Sequence, residues 1–207
     1  MITAPAFWDK VATKYAASPI KDETAYEATL DRVRSHLRSG DRALELGCGT
    51  GTTALKLAPS VAYYVASDIS GAMLDIARDK AWDAGARTLS FHQGAPGEGD
   101  LPEGPFDVVL AFNLLHLLPN LPAALRDIAS RLPSGGLFLS KTPCLSGAMG
   151  LLRPVIGVMQ LLGKAPEVKF FSPAALERQI EAAGFEIIEA AQVHKSNNRP
   201  FLAARKL

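Results

Sequence analysis

Short apolar runs alternate along this chain with longer stretches in which apolar residues recur every three or four positions. The runs are 42–46, 63–67, 88–93, 108–112, 137–141, 185–190 and 201–205. Runs of this length, rich in β-branched and aromatic residues, predict strands, and Val108–Phe112 is apolar enough to be buried on both faces. Between them lie helical patterns. Trp8, Val11, Ala12 and Tyr15 share one face of 7–16, with Pro19 beyond it, and Tyr26, Leu30, Val33 and Leu37 share a face of 23–37. Further helices are expected over 53–58 with Pro59 closing it, after Ser70 to about Ala84 with Gly85 as cap, and over 121–132. Ser172-Pro173 begins another as N-cap and first helical residue, and Gly184 ends it. Strands that alternate with helices predict an α/β fold, a doubly wound and mostly parallel sheet.

One stretch organises the rest: Ala43-Leu44-Glu45-Leu46-Gly47-Cys48-Gly49-Thr50-Gly51-Thr52-Thr53. A strand ends at Leu46, three glycines follow at alternate positions, and a helix begins. Glycine lets the backbone take positive φ and lets a ligand approach the main chain. The unpaired N–H groups at the helix start receive polar or anionic groups. Strand, glycine loop and helix therefore predict a nucleotide-type pocket at the carboxyl end of a parallel strand. Asp68 ends the second strand, where a carboxylate accepts two hydrogen bonds from the vicinal hydroxyls of a ribose. The alternative role for Asp68 is to cap the next helix, which Ser70 can do instead.

Composition narrows the classes. The chain has 207 residues, 48% hydrophobic and 21% charged, enough for one domain with a full core. A formal net charge of +1 and the lack of a basic stripe argue against a nucleic-acid partner. Cys48 and Cys144 have no metal spacing, and His36, His92, His116 and His194 are scattered, so no metal is expected. No secretory leader is visible, and a cytoplasmic setting is the default expectation.

The glycine loop is G-x-G-x-G, preceded by Glu45, rather than the G-x-G-x-x-G of dinucleotide enzymes. With Asp68-Ile69-Ser70-Gly71-Ala72-Met73-Leu74, this form resembles the Rossmann-like class I S-adenosylmethionine-dependent methyltransferases of the small-molecule type. The likeness covers nearly the whole chain and is most specific over 43–75. It implies a seven-stranded sheet with an antiparallel last strand, a helical cap over 1–40, and a lid-like insertion over 144–170 after the fifth strand. S-adenosylmethionine is the implied cofactor and S-adenosylhomocysteine (SAH) its product. By the same resemblance Glu45, Gly47, Cys48, Gly49 and Gly51 form the cofactor loop, Ile69 lies against adenine, and Met73 is ligand-adjacent core. Tyr15 touches the methionine part, Trp8 anchors the cap, and the backbone at Phe112 and Asn113 faces the ammonium group. Relatives place Gly-Asp-Ala after the third strand, with the Asp receiving the adenine amino group. Here Gly94-Ala95-Pro96 stands instead, which leaves adenine to the backbone of Gly94 or Ala95, to Gln93, to Glu98, or to apolar contact.

The stretch 144–163 is long and apolar but carries Arg153-Pro154 near its middle, and Gly147, Gly150 and Gly157 weaken a lone helix. A lid lining the acceptor site is favoured over a membrane span, with a plain packed insertion or a peripheral membrane contact as the other readings. His116, in Asn113-Leu114-Leu115-His116, is the histidine nearest a strand tip. It is the candidate general base, or else packs on the cleft wall. The same run lacks the Asn/Asp-Pro-Pro-aromatic motif of amino-methylating nucleic-acid enzymes and the carboxylates of metal-dependent catechol-type enzymes. The expected activity is in-line methyl transfer to a small acceptor, with hydrophobic or membrane-derived molecules as candidates. The overall pattern most resembles quinone-biosynthesis and related enzymes. The rival readings are a nicotinamide-dependent oxidoreductase and a binding module that holds the cofactor without turnover.

Overall fold

In the computed structural model, which describes residues 3–98, 100–145, 157–160, 165–192 and 198–207, the seven apolar runs form one sheet. The strands are β1 (Arg42–Leu46), β2 (Tyr63–Asp68), β3 (Leu89–Gln93), β4 (Val108–Phe112), β5 (Leu137–Lys141), β6 (Phe185–Gln192) and β7 (Pro200–Lys206). Their order is β3-β2-β1-β4-β5-β7-β6. β1 to β5 are parallel, whereas β7 runs antiparallel between β5 and β6. Among the described residues the helices include α1 (Ala4–Ala16), α2 (Glu23–Arg34), α3 (Thr52–Leu57), α4 (Gly71–Asp83), α5 (Leu121–Ser130) and α6 (Pro173–Ala182).

Alternation along the strands separates two cores. Leu44, Leu46, Val109, Ala111, Phe138 and Leu202 pack with Leu125 and Ile128 of α5 and Leu176 and Ile180 of α6. Ala43, Val108, Leu110, Leu139, Phe201 and Ala203 pack with Leu30 and Val33 of α2, Ala54 and Leu57 of α3, and Leu74 of α4. The sheet is thus covered on both faces, which is why its strands read as nearly continuous apolar runs. Burial of this kind stabilises by roughly 25 cal/mol per Å² of apolar surface, so the sheet is a firm base for the loops at its edge.

Side-chain caps define most helix starts. Asp22, Ser70, Asn120 and Ser172 accept from the backbone N–H three residues on. Several ends fall short of the sequence expectation. α2 stops at Arg34 because His36 and Leu37 donate to Val33 and Arg34, a tightened final turn. α5 stops at Ser130 for the same reason, with Arg131 and Leu132 bonded to Ile128 and Ala129. Pro59 ends α3 at Leu57 and leaves a 3-10 turn over Ala58–Ser60. Most of the apolar insertion, and the turn expected at Ser196 and Asn197, lie outside the described residues. Among the described residues no helix is long and apolar enough to cross a membrane.

The chain leaves β1 toward β2 and β3, then returns across the sheet to β4 on the other side of β1. The connections therefore diverge above the carboxyl ends of β1 and β4, and that divergence opens a crevice.

Candidate active site

Among the described residues, cavities of about 440 Å³ open at opposite ends of the strands. One lies at the strand starts, beside Asp41, Asp107, Val108 and Leu137. The other lies at the crevice above β1 and β4, where the glycine loop sits. Only the second has the strand-end position at which open α/β sheets bind ligands.

Its floor is the loop after β1. Gly47, Gly49 and Gly51 have φ of 67°, 55° and 75°, values that L side chains resist. The loop is tied down from below: Cys48 N–H donates to Ser67 O at 2.9 Å, and Gly51 N–H to Cys48 O at 3.0 Å. Gly47 and Gly49 line the cavity, and a Cβ on Gly49 would meet only Tyr15 Cε1, at 3.7 Å. Gly51 faces away. A Cβ there would lie 2.8 Å from Ala77 Cβ, so this glycine lets α4 pack against the loop.

Asp68 stands beside Gly49 at the tip of β2. Its Oδ2 accepts from Gly49 N–H at 2.8 Å and its Oδ1 from Ser70 N–H at 2.9 Å. A carboxylate offers about four acceptor sites, so half remain for a ligand. Burial raises the Asp68 pKa above the ordinary carboxylate value, against the backbone donors, which lower it. The capping alternative falls to Ser70, whose Oγ accepts from Met73 N–H.

The other candidates divide. Tyr15, Ile69, Met73, Gly94, Ala95, Phe112, Asn113 and His116 line the cavity with Gly47, Gly49 and Asp68. Glu45, Cys48 and Gly51 do not. Glu45 is buried beneath the loop and accepts from Tyr64 Oη–H at 2.9 Å. Burial raises its pKa to about 7, opposed by the Tyr64 bond and assisted by the charge of Asp68. Cys48 is buried, and burial holds its thiol well above the usual value. Among the described residues no group of three or more His, Cys, Asp or Glu can hold a metal.

The loop after β3 has little backbone to offer. Gly94 N–H is spent on Asp68 O, Ala95 N–H on Asp100 Oδ1 at 3.1 Å, and Gly97 N–H on Asp127 Oδ2 at 2.8 Å. Pro96 has none. That end of the cavity is therefore walled by Ile69, Met73, Ala95 and Pro96, with the Glu98 carboxylate as the polar group.

At the other end Asn113 turns the chain at φ 53°, a conformation asparagine tolerates, and donates its N–H to Lys141 O at 2.7 Å. His116 follows, with Nδ1 3.1 Å from the buried Thr142 Oγ1 and its carbonyl accepting from Lys169 N–H. Burial, and then the charge of Arg199, lower its pKa to about 4, so the ring is neutral at neutral pH.

Three residues at this site escaped sequence reasoning. Asp9 on α1 accepts from Ser70 Oγ–H at 2.6 Å and Ala72 N–H at 3.2 Å, and so ties the first helix over the cavity beside Trp8 and Tyr15. Asp100 occupies the β3 loop donor at Ala95. Arg199 lines the cavity from the start of β7. Asp9 stands in an aromatic-Asp-x-x-Ala-x-x-Tyr segment, Trp8 to Tyr15, but its partners at the start of α4 lie about sixty residues on; Asp100 turns back on its own loop, five residues from Ala95; and Arg199 reaches the site only through the pairing of β7.

Comparison with known proteins places this geometry among relatives. The family model of the methyltransferase domain matches residues 19–190. Ubiquinone biosynthesis O-methyltransferase of Aeromonas salmonicida is 29% identical over 161 residues, 75% of this chain and 67% of that protein. The chain spans two thirds or less of the length of several other curated relatives it matches. Among solved structures, a DhpI–SAH complex superposes with a TM-score of 0.75 at 21% identity, covering 97% of this chain and 93% of that one. Magnesium protoporphyrin IX methyltransferase (ChlM) of Synechocystis with bound SAH gives 0.69 at 17% identity, covering 100% and 89%. At these identities the structures show a shared fold.

Proposed function

The chain belongs to the methyltransferase domain family, and from that premise we propose that it transfers the methyl group of S-adenosylmethionine to a small acceptor in the crevice above β1 and β4. The observation that carries this reading is the pairing of Gly49 with Asp68. A glycine open toward the cavity lies against a carboxylate that keeps two acceptor sites for a ribose diol.

The lining fits the rest of the cofactor. Ile69, Met73, Ala95 and Pro96 form an apolar slot for a purine, and Glu98 is its hydrogen-bond acceptor. Gly47, Phe112 and Asn113 stand between that slot and His116, where the amino-acid end belongs. Glu45 supports the loop from beneath rather than touching the ligand. Trp8 and Tyr15, held down through Asp9, exclude water from above. NAD is the poorer occupant, because the glycine spacing and the antiparallel β7 belong to the other pattern.

The bound cofactor supplies an electrophilic methyl on sulfonium. The protein's own part is to hold the acceptor in line with it, keep water out, and receive a proton from the acceptor where needed. His116 serves as that base when Nδ1–H donates to Thr142 Oγ1, which leaves the Nε2 lone pair for the acceptor. The reverse tautomer makes it a hydrogen-bond donor on the cavity wall.

Isothermal titration with S-adenosylmethionine and, separately, NAD tests the occupant. The expected result is one-to-one binding of the former and none of the latter. A screen of small phenols, carboxylates and amines that reads SAH release then tests turnover. Binding without SAH release from any acceptor would favour a module that holds the cofactor without catalysis, a reading to which the loop at Ala95-Pro96 lends some support.

A further inference from the structure

Arg199 is the one lysine or arginine among the described residues that line the cavity. Every other polar group there has a partner or a place in the cofactor reading; among the described residues this guanidinium has neither. It is exposed, and no carboxylate pairs with it among the described residues. The remaining residues of the chain include no aspartate or glutamate. Its backbone is nonetheless well fixed. Asn198 O accepts from Cys144 N–H at 2.7 Å, and Pro200 enters β7 opposite Gln192.

Resting on the methyltransferase reading, we propose that Arg199 is the specificity residue for a carboxylate on the methyl acceptor, whose body lies against His116, Leu117, Pro143 and Val168. Strand order gives the first reason. The groups assigned to the cofactor sit at the tips of β3, β2, β1 and β4, whereas Arg199 opens β7, two strands beyond β4 and about 10 Å further along the sheet. The second reason is proximity to the reacting end. The charge of Arg199 reaches both His116 and Lys141 and disfavours a proton on each. An anion at Arg199 therefore stands close to the candidate base. The third reason is valence. Lys141 Nζ is turned to Thr29 Oγ1 on α2, so among the described residues a single guanidinium faces the cavity. A planar monoanion that takes two parallel N–H bonds matches it better than a dianionic phosphate, which would draw on a second cation. The acceptor class is thus an amphiphilic acid: an apolar or aromatic body with one carboxylate and a nucleophilic atom.

The test uses the full chain, with and without saturating SAH. Matched acid and amide pairs are titrated: 4-hydroxybenzoate with 4-hydroxybenzamide, 4-hydroxycinnamate with its amide, and octanoate with octanamide. At least one acid should bind about 10- to 100-fold tighter than its amide, the size of a charge-assisted hydrogen bond. Arg199→Gln should erase that advantage and Arg199→Lys should keep part of it, with SAH affinity and Tm unchanged in both. Equal binding of acids and amides would overturn the proposal, as would an acid preference that survives in Arg199→Gln, or no acid binding below about 5 mM. A large loss of SAH affinity in Arg199→Gln would overturn it too, by assigning the guanidinium to the cofactor's own carboxylate. If SAH does not bind the wild-type chain, the methyltransferase reading fails, while the acid and amide pairs still judge Arg199.

Discussion

Replacing Asp68 with asparagine separates its two roles, support of the loop and grip on a sugar. The wild-type carboxylate holds Gly49 N–H at 2.8 Å and Ser70 N–H at 2.9 Å and keeps two acceptor sites for the cavity. An amide of the same shape has one oxygen, so its NH2 group must confront one of those backbone donors. Leaving that donor unpaired costs about 1–3 kcal/mol, partly offset because burial already disfavours the charged carboxylate. For a chain of this size the net effect is a fall in Tm of a few degrees, at about 2–4 °C per kcal/mol. The ligand loses more. Two charge-assisted bonds become one neutral acceptor and one mismatched donor, a loss of about 2–4 kcal/mol, or roughly 30- to 1,000-fold in Kd. Isothermal titration with SAH at pH 8, beside a thermal melt, reads both numbers. An SAH Kd within about threefold of wild type would refute the sugar grip and leave Asp68 as loop support.

Other substitutions probe the remaining parts. Glu45 has a folded-state pKa of about 7 against 4.5 ordinarily, so the folded state binds its proton more tightly and stability falls as pH rises from about 4.5 through 7. Glu45→Gln keeps an acceptor for Tyr64 and should be more stable than wild type at pH 8, by up to about 3 kcal/mol, with the gap closing below pH 4.5; parallel urea-stability profiles across pH would contradict this. Gly51→Ala combines φ of 75° with a 2.8 Å approach to Ala77 Cβ and should cost about 2–4 kcal/mol of stability. Its folded fraction should still bind SAH normally, because Gly51 faces α4; a selective loss of binding would return it to the ligand site. His116→Ala should lower turnover with a true acceptor by about 100-fold or more at unchanged SAH affinity. The wild-type kcat/KM profile should lose activity near pH 4 rather than 6.5, since burial and Arg199 keep the ring neutral; undiminished turnover would remove His116 from the chemistry.

The fold was legible because its signals are local. Three alternate glycines after an apolar run, the acid at Asp68, and caps such as Ser70 and Ser172 are each set within a few residues of chain. Which way a loop residue faces is not local. Gly49 and Gly51 look alike in sequence, yet one borders the cavity and the other accommodates α4, a difference decided by Ala77. Glu45 likewise reads as a ligand contact until Tyr64, on the neighbouring strand, claims its carboxylate. The substituted loop at Ala95-Pro96 was visible as a departure, but not that Asp100 and Asp127 would consume the neighbouring N–H groups. Arg199 could not be found at all without the sheet, because only the antiparallel pairing of β5 with β7 brings it beside His116.

On the proposed function, the crevice above β1 and β4 holds the methyl-donor cofactor by its ribose. A crystal structure of the chain grown with SAH tests it most directly. The expected result is SAH density with the ribose hydroxyls on Asp68 and the chain alongside Gly47 and Gly49. An occupied ligand elsewhere, or a ribose turned away from Asp68, would contradict it.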